Sequence, residues 1–227
     1  MPSFFQASIE NLLGAAALGA MSMTVHAAAV PGQGTWETTL QGRDISGNAV
    51  AASDASAVFL YDTTLNITWL RDANVNGKMN WAAANSWANG LVVGAWSDWR
   101  LPTMIDTGTP GCDIGYAGGT DCGWNVQTKS GDVTKYEAGQ TVYSEMAHLF
   151  YVTLANKGYY APGTGIGPQP GWGLSNTGTF QNMQSDGYWS AVAYAPVGSL
   201  AWVFGTNYMV QTYNPKTYTF FALAVRS

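Results

Sequence analysis

Three groups of residues in this chain have side chains that could do chemistry. The first is Asp72-Ala73-Asn74-Val75-Asn76-Gly77. Oxygen-bearing side chains at alternate positions can wrap a calcium ion, and the glycine permits the sharp turn of such a loop. Asp72, Asn74 and Asn76 are therefore candidate metal ligands. The twelfth position of a loop of this kind supplies a bidentate acid, but here it is Ala83, so a carboxylate from elsewhere would have to complete the site. The competing account is a run of Asx turns leading into a helix. The second group is Cys112 and Cys122, the only cysteines, set in a glycine-rich stretch. A redox pair usually has C-x-x-C spacing, and zinc needs two more soft ligands, for which His148 is the one candidate once a leader is removed. A structural disulfide is the expectation in an exported chain.

The third group is aromatic. Tyr159, Tyr160, Trp172, Tyr188, Tyr194, Tyr208, Tyr213 and Tyr218 are interleaved with Asn, Gln, Ser and Gly. Such surfaces stack on sugar rings or anchor protein partners, while amide neighbours serve hydroxyls. Tyr194, Asn207, Tyr208, Gln211 and Tyr213 are the preferred exposed ligand-binding candidates. No residue is assigned a catalytic role. His148 has no nucleophile elbow of the G-x-S-x-G kind to serve. The acids are scattered through loops without the defined pairing that glycoside hydrolysis needs. Arg100, in Trp99-Arg100-Leu101-Pro102-Thr103, reads as a structural ion pair with Asp98 or a buried carboxylate, with Trp99 and Leu101 in the core.

Composition narrows the partners. Of 227 residues, 10% are charged and 13% aromatic, and 27 are glycine. Disordered chains are rich in charge and poor in aromatics, and coiled coils need charged heptads, so both are excluded. With 9 basic against 14 acidic residues the net charge is −5, and no basic cluster exists to neutralise phosphates. Nucleic acid is not an expected partner. Residues 12–25 form an apolar run of signal-peptide length, followed by His26-Ala27-Ala28-Ala29. Residues 1–27 are expected to be a cleaved secretory signal, although no Lys or Arg precedes the apolar run. No other segment is expected to span a membrane, and the mature chain is expected outside the cell or on its surface.

These residues need elements to position them. Residues 28–57 are small and polar and predict an extended lead-in. A hairpin is predicted over 57–70, turning at Asp62-Thr63-Thr64. Asn80 can cap a helix over 81–89 that stops at Gly90, with Trp81, Ala84, Ala88 and Leu91 on one buried face. A second helix is predicted over 144–156, capped by Ser144, with His148 off its apolar face. Long loops are predicted over 100–140 and 158–187. Strands are predicted at 188–194, 200–205, 209–213 and 218–225. The sum is one α+β domain over 58–227, with two helices, long Gly-rich loops and a terminal antiparallel sheet.

The order of motifs resembles the family named after the C-terminal domain of the collagen-like adhesin Lcl, within the C-type-lectin-like fold group. The residues that carry it are the stretch Tyr61 to Leu70, Asp72-Ala73-Asn74, Met79 to Asn85, Asp98 to Thr103, Tyr188-Trp189-Ser190, Ala201 to Phe204 and Ala222 to Arg226. The resemblance is greatest to a secreted bacterial branch that often carries a C-terminal exosortase (PEP-CTERM) sorting tail, which would follow Ser227. It implies a C-type-lectin-like single domain whose terminal strands and loops form the ligand face. Formylglycine-generating enzymes share the fold group but need reactive cysteines near the end of the domain, and both cysteines here lie mid-chain. The expected function is a secreted, non-enzymatic binding or adhesion domain without cofactor, calcium apart. It would recognise a glycan or cell-surface polymer through aromatic loops. The rival expectation is a structural subunit of an extracellular matrix, sheath or filament, assembled as a homo-oligomer or polymer.

Overall fold

The hairpin predicted around Asp62 lies at the centre of the larger of the two antiparallel sheets among the described residues. The structure is a computed structural model that describes residues 33–108, 110, 116, 121–126 and 143–227. The expected leader and Cys112 lie outside the described residues. In chain order the elements are Trp36–Thr39 (α1), Leu40–Arg43 (β1), Ala49–Val50 (β2), Phe59–Asp62 (β3), Ile67–Leu70 (β4), Trp81–Gly90 (α2) and Gly123–Trp124 (β5). Then come Glu145–Ala147 (α3), a π-helical continuation His148–Thr153, Gly187–Ala193 (β6), Leu200–Gly205 (β7), Val210–Pro215 (β8) and Val225–Arg226 (β9). One sheet has the order β2-β1-β3-β4-β9, the other β5-β8-β7-β6. Among the described residues the protein is thus a mixed α+β chain with few, short helices.

Alternation explains the first sheet. Leu40, Leu60, Ile67, Trp69 and Val225 face inward to a core shared with Leu149 and Phe150 of the π-helical segment and Tyr188 and Phe204 of the second sheet. Residues one step along, Gln41, Tyr61, Thr68 and Arg226, form a row on the opposite face. The lead-in expected at 28–57 is corrected in part, because residues 36–50 supply α1 and two strands. Its composition hid them. β1 reads Leu-Gln-Gly-Arg, and Gly42 lies so close to the backbone of Ala51 that a Cβ would sit 2.6 Å from its carbonyl oxygen.

Asp62 ends β3 and organises the hairpin turn. Its Oδ1 accepts from the backbone N–H of Thr64 (3.0 Å) and Leu65 (3.1 Å), and its Oδ2 from Trp69 Nε1 at 3.4 Å. The residue is fully buried. Desolvation raises its carboxyl above the ordinary value, against the hydrogen bonds from Leu65, Trp69 and Thr64, which lower it. The folded chain therefore holds this proton to higher pH than the unfolded chain does. Stability through this group is greatest below the ordinary carboxylate range and falls as pH rises towards the raised value. In urea titrations from about pH 3.5 to pH 6, wild type is expected to lose unfolding free energy relative to Asp62→Asn. Parallel curves would show that Asp62 titrates normally.

The predicted helices form with differences. Asn80 caps α2, its side chain accepting from Ala83 N at 2.9 Å, and Ala84 and Ala88 are buried. Trp81 and Leu91 are only half-buried. The Trp81 indole reaches sideways instead, donating to Ser190 O at 2.9 Å, and its ring face carries Lys216 Nζ at 4.3 Å. Ser144 caps α3 through Ala147 N, but the helix over 144–156 is corrected to three α-helical residues followed by the π-helical turn. His148 is likewise corrected: it is fully buried. The π register brings residues five apart together, and His148 Nδ1 lies 3.4 Å from Thr153 Oγ1.

The predicted strand over 218–225 is also corrected. Phe220 bridges Met79, Phe221 bridges Tyr188, and only Val225–Arg226 is a strand, which pairs with β4 in the other sheet. This last segment crosses between the sheets rather than lying in one. Trp99 and Leu101 are core as expected, and Arg100 makes a two-pronged ion pair with Glu145 of α3 rather than with Asp98.

Candidate functional site

Two exposed aromatic residues, Trp172 and Tyr208, gather where the β7–β8 turn meets the loop that leaves the π-helical segment, whereas Tyr218 is exposed apart from them, on the turn after β8. Lys157 to Tyr160 run beside the turn, and Tyr159 N donates to Tyr208 O at 3.0 Å. The chain then travels through 161–171 and returns, with Gln169 N donating to Tyr159 O (3.0 Å) and Gly173 N to Lys157 O (2.9 Å). Gln169 Nε2 adds bonds to Gly158 O at 2.7 Å and Tyr160 O at 3.0 Å. Asn156 fixes the returning strand, its Oδ1 accepting from Ser175 N and Asn176 N at 3.0 and 2.8 Å. Gly167 lies over the Tyr159 ring, where a Cβ would come within 2.7 Å of ring carbons. Glycine here is required by close approach, and the loop is pinned rather than slack.

These bonds hold rings in contact. Trp172 and Tyr208 lie near-parallel, centroids 5.6 Å apart and planes at 25°. Tyr159 meets both, at 4.8 Å edge-on to Trp172 and 5.5 Å from Tyr208. Tyr160 follows at 4.9 Å from Tyr159, and it touches Trp124 of β5 at 4.7 Å and Tyr116 at 4.4 Å. Six rings thus form one continuous shelf. Its outer members remain in water: Trp172 is 36% exposed and Tyr208 46%. Asn207 sits at the edge, its Oδ1 accepting from Tyr208 N at 3.0 Å. Below the turn the Tyr151 hydroxyl donates to Met209 O and takes a bond from Asn125 N at 3.0 Å. Burial pushes that phenol above the ordinary tyrosine range, so it stays a neutral donor.

The five preferred residues divide. Tyr208 and Asn207 belong to the shelf. Tyr194 and Gln211 do not, and their expected exposure is corrected: they are 3% and 2% exposed. Tyr194 stacks on Tyr213 at 4.0 Å and meets Trp202 edge-on, in a cluster with Met104 and Cys122. Tyr213 is half-buried by that stack and is corrected with it. Gln211 Nε2 donates to Asp121 O at 2.8 Å, while its Oε1 accepts from Ser144 Oγ at 2.6 Å. It ties β8 to the α3 cap. Tyr188 is core, whereas Tyr159, Tyr160 and Trp172 join the shelf. Trp124 and Tyr116 were not singled out from sequence; their neighbours in the chain gave no aromatic run to mark them.

In the Asp72 loop, Asp72 Oδ1 accepts from Asn74 N at 2.9 Å and Oδ2 from Asn182 Nδ2 at 2.9 Å. Asn74 Oδ1 accepts from Gly77 N at 3.1 Å, and Asn76 is exposed. This is the bonding of Asx turns. Among the described residues no three His, Cys, Asp or Glu side chains converge as a metal set. Cys122 is fully buried, and none of the described cysteines is free. No described helix is long and apolar enough to cross a membrane. Compared with protein-family models, curated proteins and solved structures, the chain finds no match in any of the three.

Proposed function

We propose that this protein is a secreted, non-enzymatic binding module that recognises a saccharide through the Trp172–Tyr208 shelf. The observation that carries the reading is the pair of partly exposed, near-parallel rings on a hydrogen-bonded loop. A flat apolar face stacks on the C–H face of a pyranose, and rigid two-torsion aromatics lose little entropy in doing so. The Asn207 side-chain amide stands at its edge for hydroxyls. The finer fold assignment, C-type-lectin-like, is part of the same proposal. It is supported by the return of β9 to the N-terminal hairpin and by the long loops between α2 and β6. An apolar run at residues 12–25 supports export.

A glycan array probed with the purified chain tests the reading. Binding to a defined set of saccharides is expected, and a blank array at high protein concentration would count against it. One observation favours the second reading, homotypic assembly: Ile166, in the same loop as the shelf, is 75% exposed. Analytical ultracentrifugation and electron microscopy of the same sample distinguish the two readings, since only assembly gives polymers without added saccharide.

A further inference from the structure

The outer face of the first sheet has a cationic pocket that the aromatic shelf does not use. In the row Gln41, Tyr61, Thr68 and Arg226, the last three side chains line it, and Arg43 joins them from two residues along β1. The loop after α2 packs on part of this face. Leu91, Val93 and Trp96 pack there over Phe59, Leu70 and Trp99. Beside it is a cavity of about 250 Å³ walled by Trp96, Phe59 and Trp99.

The walls are built, not incidental. The Trp96 indole donates to Ile45 O at 3.2 Å. Gly47, at a φ of 87°, lies against that ring, and a Cβ there would come within 2.5 Å of it. Phe59 meets Trp96 edge-on at 6.4 Å. The guanidinium of Arg226 lies over the Trp96 face at 4.8 Å and that of Arg43 over the Tyr61 ring at 5.7 Å. Arg226 Nε donates to Ser97 O at 3.2 Å, which leaves its terminal nitrogens to the pocket. Arg43 is steadied by Gln41 Oε1 at 2.9 Å and Gly42 O at 3.2 Å.

The charge balance is the telling feature. The chain has 9 basic and 14 acidic residues, yet two arginines point into one cavity and no Asp or Glu lines it. The ion pairs among the described residues, Lys78 with Asp186 and Arg100 with Glu145, use neither arginine. Guanidinium forks match the geometry of a carboxylate or phosphate, and aromatic walls match a flat body. The volume lies just below the range of drug-sized sites, so the occupant is small.

We propose that this pocket binds a small oxyanion attached to a flat ring, an aryl carboxylate or aryl phosphate. The oxyanion lies between Arg43 and Arg226 and the ring against Trp96. The test uses ¹⁵N–¹H spectra of the full chain titrated with benzoate, phenyl phosphate, benzamide and inorganic phosphate. Saturable shifts with benzoate or phenyl phosphate are expected at the Trp96 indole N–H, Gly47 and Thr68, and the better of the two identifies the oxyanion. Benzamide is expected to bind at least about tenfold more weakly, as is each of Arg226→Gln and Arg43→Gln towards benzoate, because each loses a charge-assisted bond. Lys216→Gln, which removes a cation elsewhere, is expected to bind as wild type does. Shifts on the wild-type spectrum map the site even if an arginine variant fails to fold. The proposal is overturned by an absence of saturable shifts at those three groups. It is equally overturned by benzamide binding as tightly as benzoate, or by inorganic phosphate binding as tightly as phenyl phosphate.

Discussion

Replacing Trp172 with alanine is expected to remove saccharide binding while leaving the fold standing. Trp172 lies at the outer end of the shelf, with its indole resting on Tyr159 and Tyr208. It is more than a third exposed, so its loss opens no cavity in the core. What it contributes is a flat surface, and aromatic anchors typically cost ~2 kcal/mol or more on truncation, about thirtyfold in affinity. Tyr208→Ala is expected to fall in the same range. Trp172→Phe keeps a ring and is expected to retain much of the binding. Charge plays little part at the shelf, so affinity is expected to hold from about 0.1 M to 1 M salt, where ionic contacts are screened away. Tyr213→Ala separates this shelf from the Tyr194–Tyr213–Trp202 cluster. That ring packs on Tyr194 and Trp202, so its loss is expected to lower the melting temperature and spare binding. Wild-type affinity in both Trp172→Ala and Tyr208→Ala would sink the shelf as the site.

The contrast between Tyr208 and Tyr213 shows how far the sequence could be read. Both are tyrosines near amides in a Gly/Asn-bearing stretch, and composition alone ranks them equally. What separates them is tertiary: Tyr208 sits on a turn pinned to Tyr159, whereas Tyr213 lies in β8 with its ring stacked on Tyr194, just past the end of β6. The hairpin at Asp62, the Asn80 cap and the core roles of Trp99 and Leu101 were legible because each depends on residues close in sequence or on a strong local pattern. β1 was not, because Leu-Gln-Gly-Arg has too few apolar residues to show period two. The π-helical turn was not, because 3.6-residue spacing is the only helical period a sequence argument tests. The cationic pocket needed the pairing of four strands. Arg43 and Arg226 are 183 positions apart, and nothing local joins them.

Glu145→Ala is expected to be among the most damaging single changes outside the apolar core. The stretch Trp99 to Thr103 connects the whole chain: Arg100 exchanges backbone bonds with Val225 of β9, and Pro102 O accepts from Ala191 N of β6 at 2.9 Å. Glu145 fastens this stretch to α3. Its carboxylate takes two bonds from the Arg100 guanidinium, at 2.7 and 2.8 Å, and a third from Thr103 N at 2.7 Å. Its own backbone N–H returns a bond to Thr103 O at 3.1 Å. The Glu145 side chain is 13% exposed and that of Arg100 28%, so alanine would leave a partly buried guanidinium without its counter-charge. Breaking a buried pair in this way costs ~3–5 kcal/mol, and partial exposure of Arg100 brings the expected loss to about 2–3 kcal/mol. In a chain of this size that lowers the melting temperature by roughly 5–10 °C. Glu145→Gln keeps an acceptor for Thr103 and is expected to fall between. Arg100→Ala combined with Glu145→Ala is expected to cost less than the two single losses added, because the second change no longer strands a charge. Calorimetric melting of the four proteins gives the coupling directly. Strict additivity would show that the two side chains act independently.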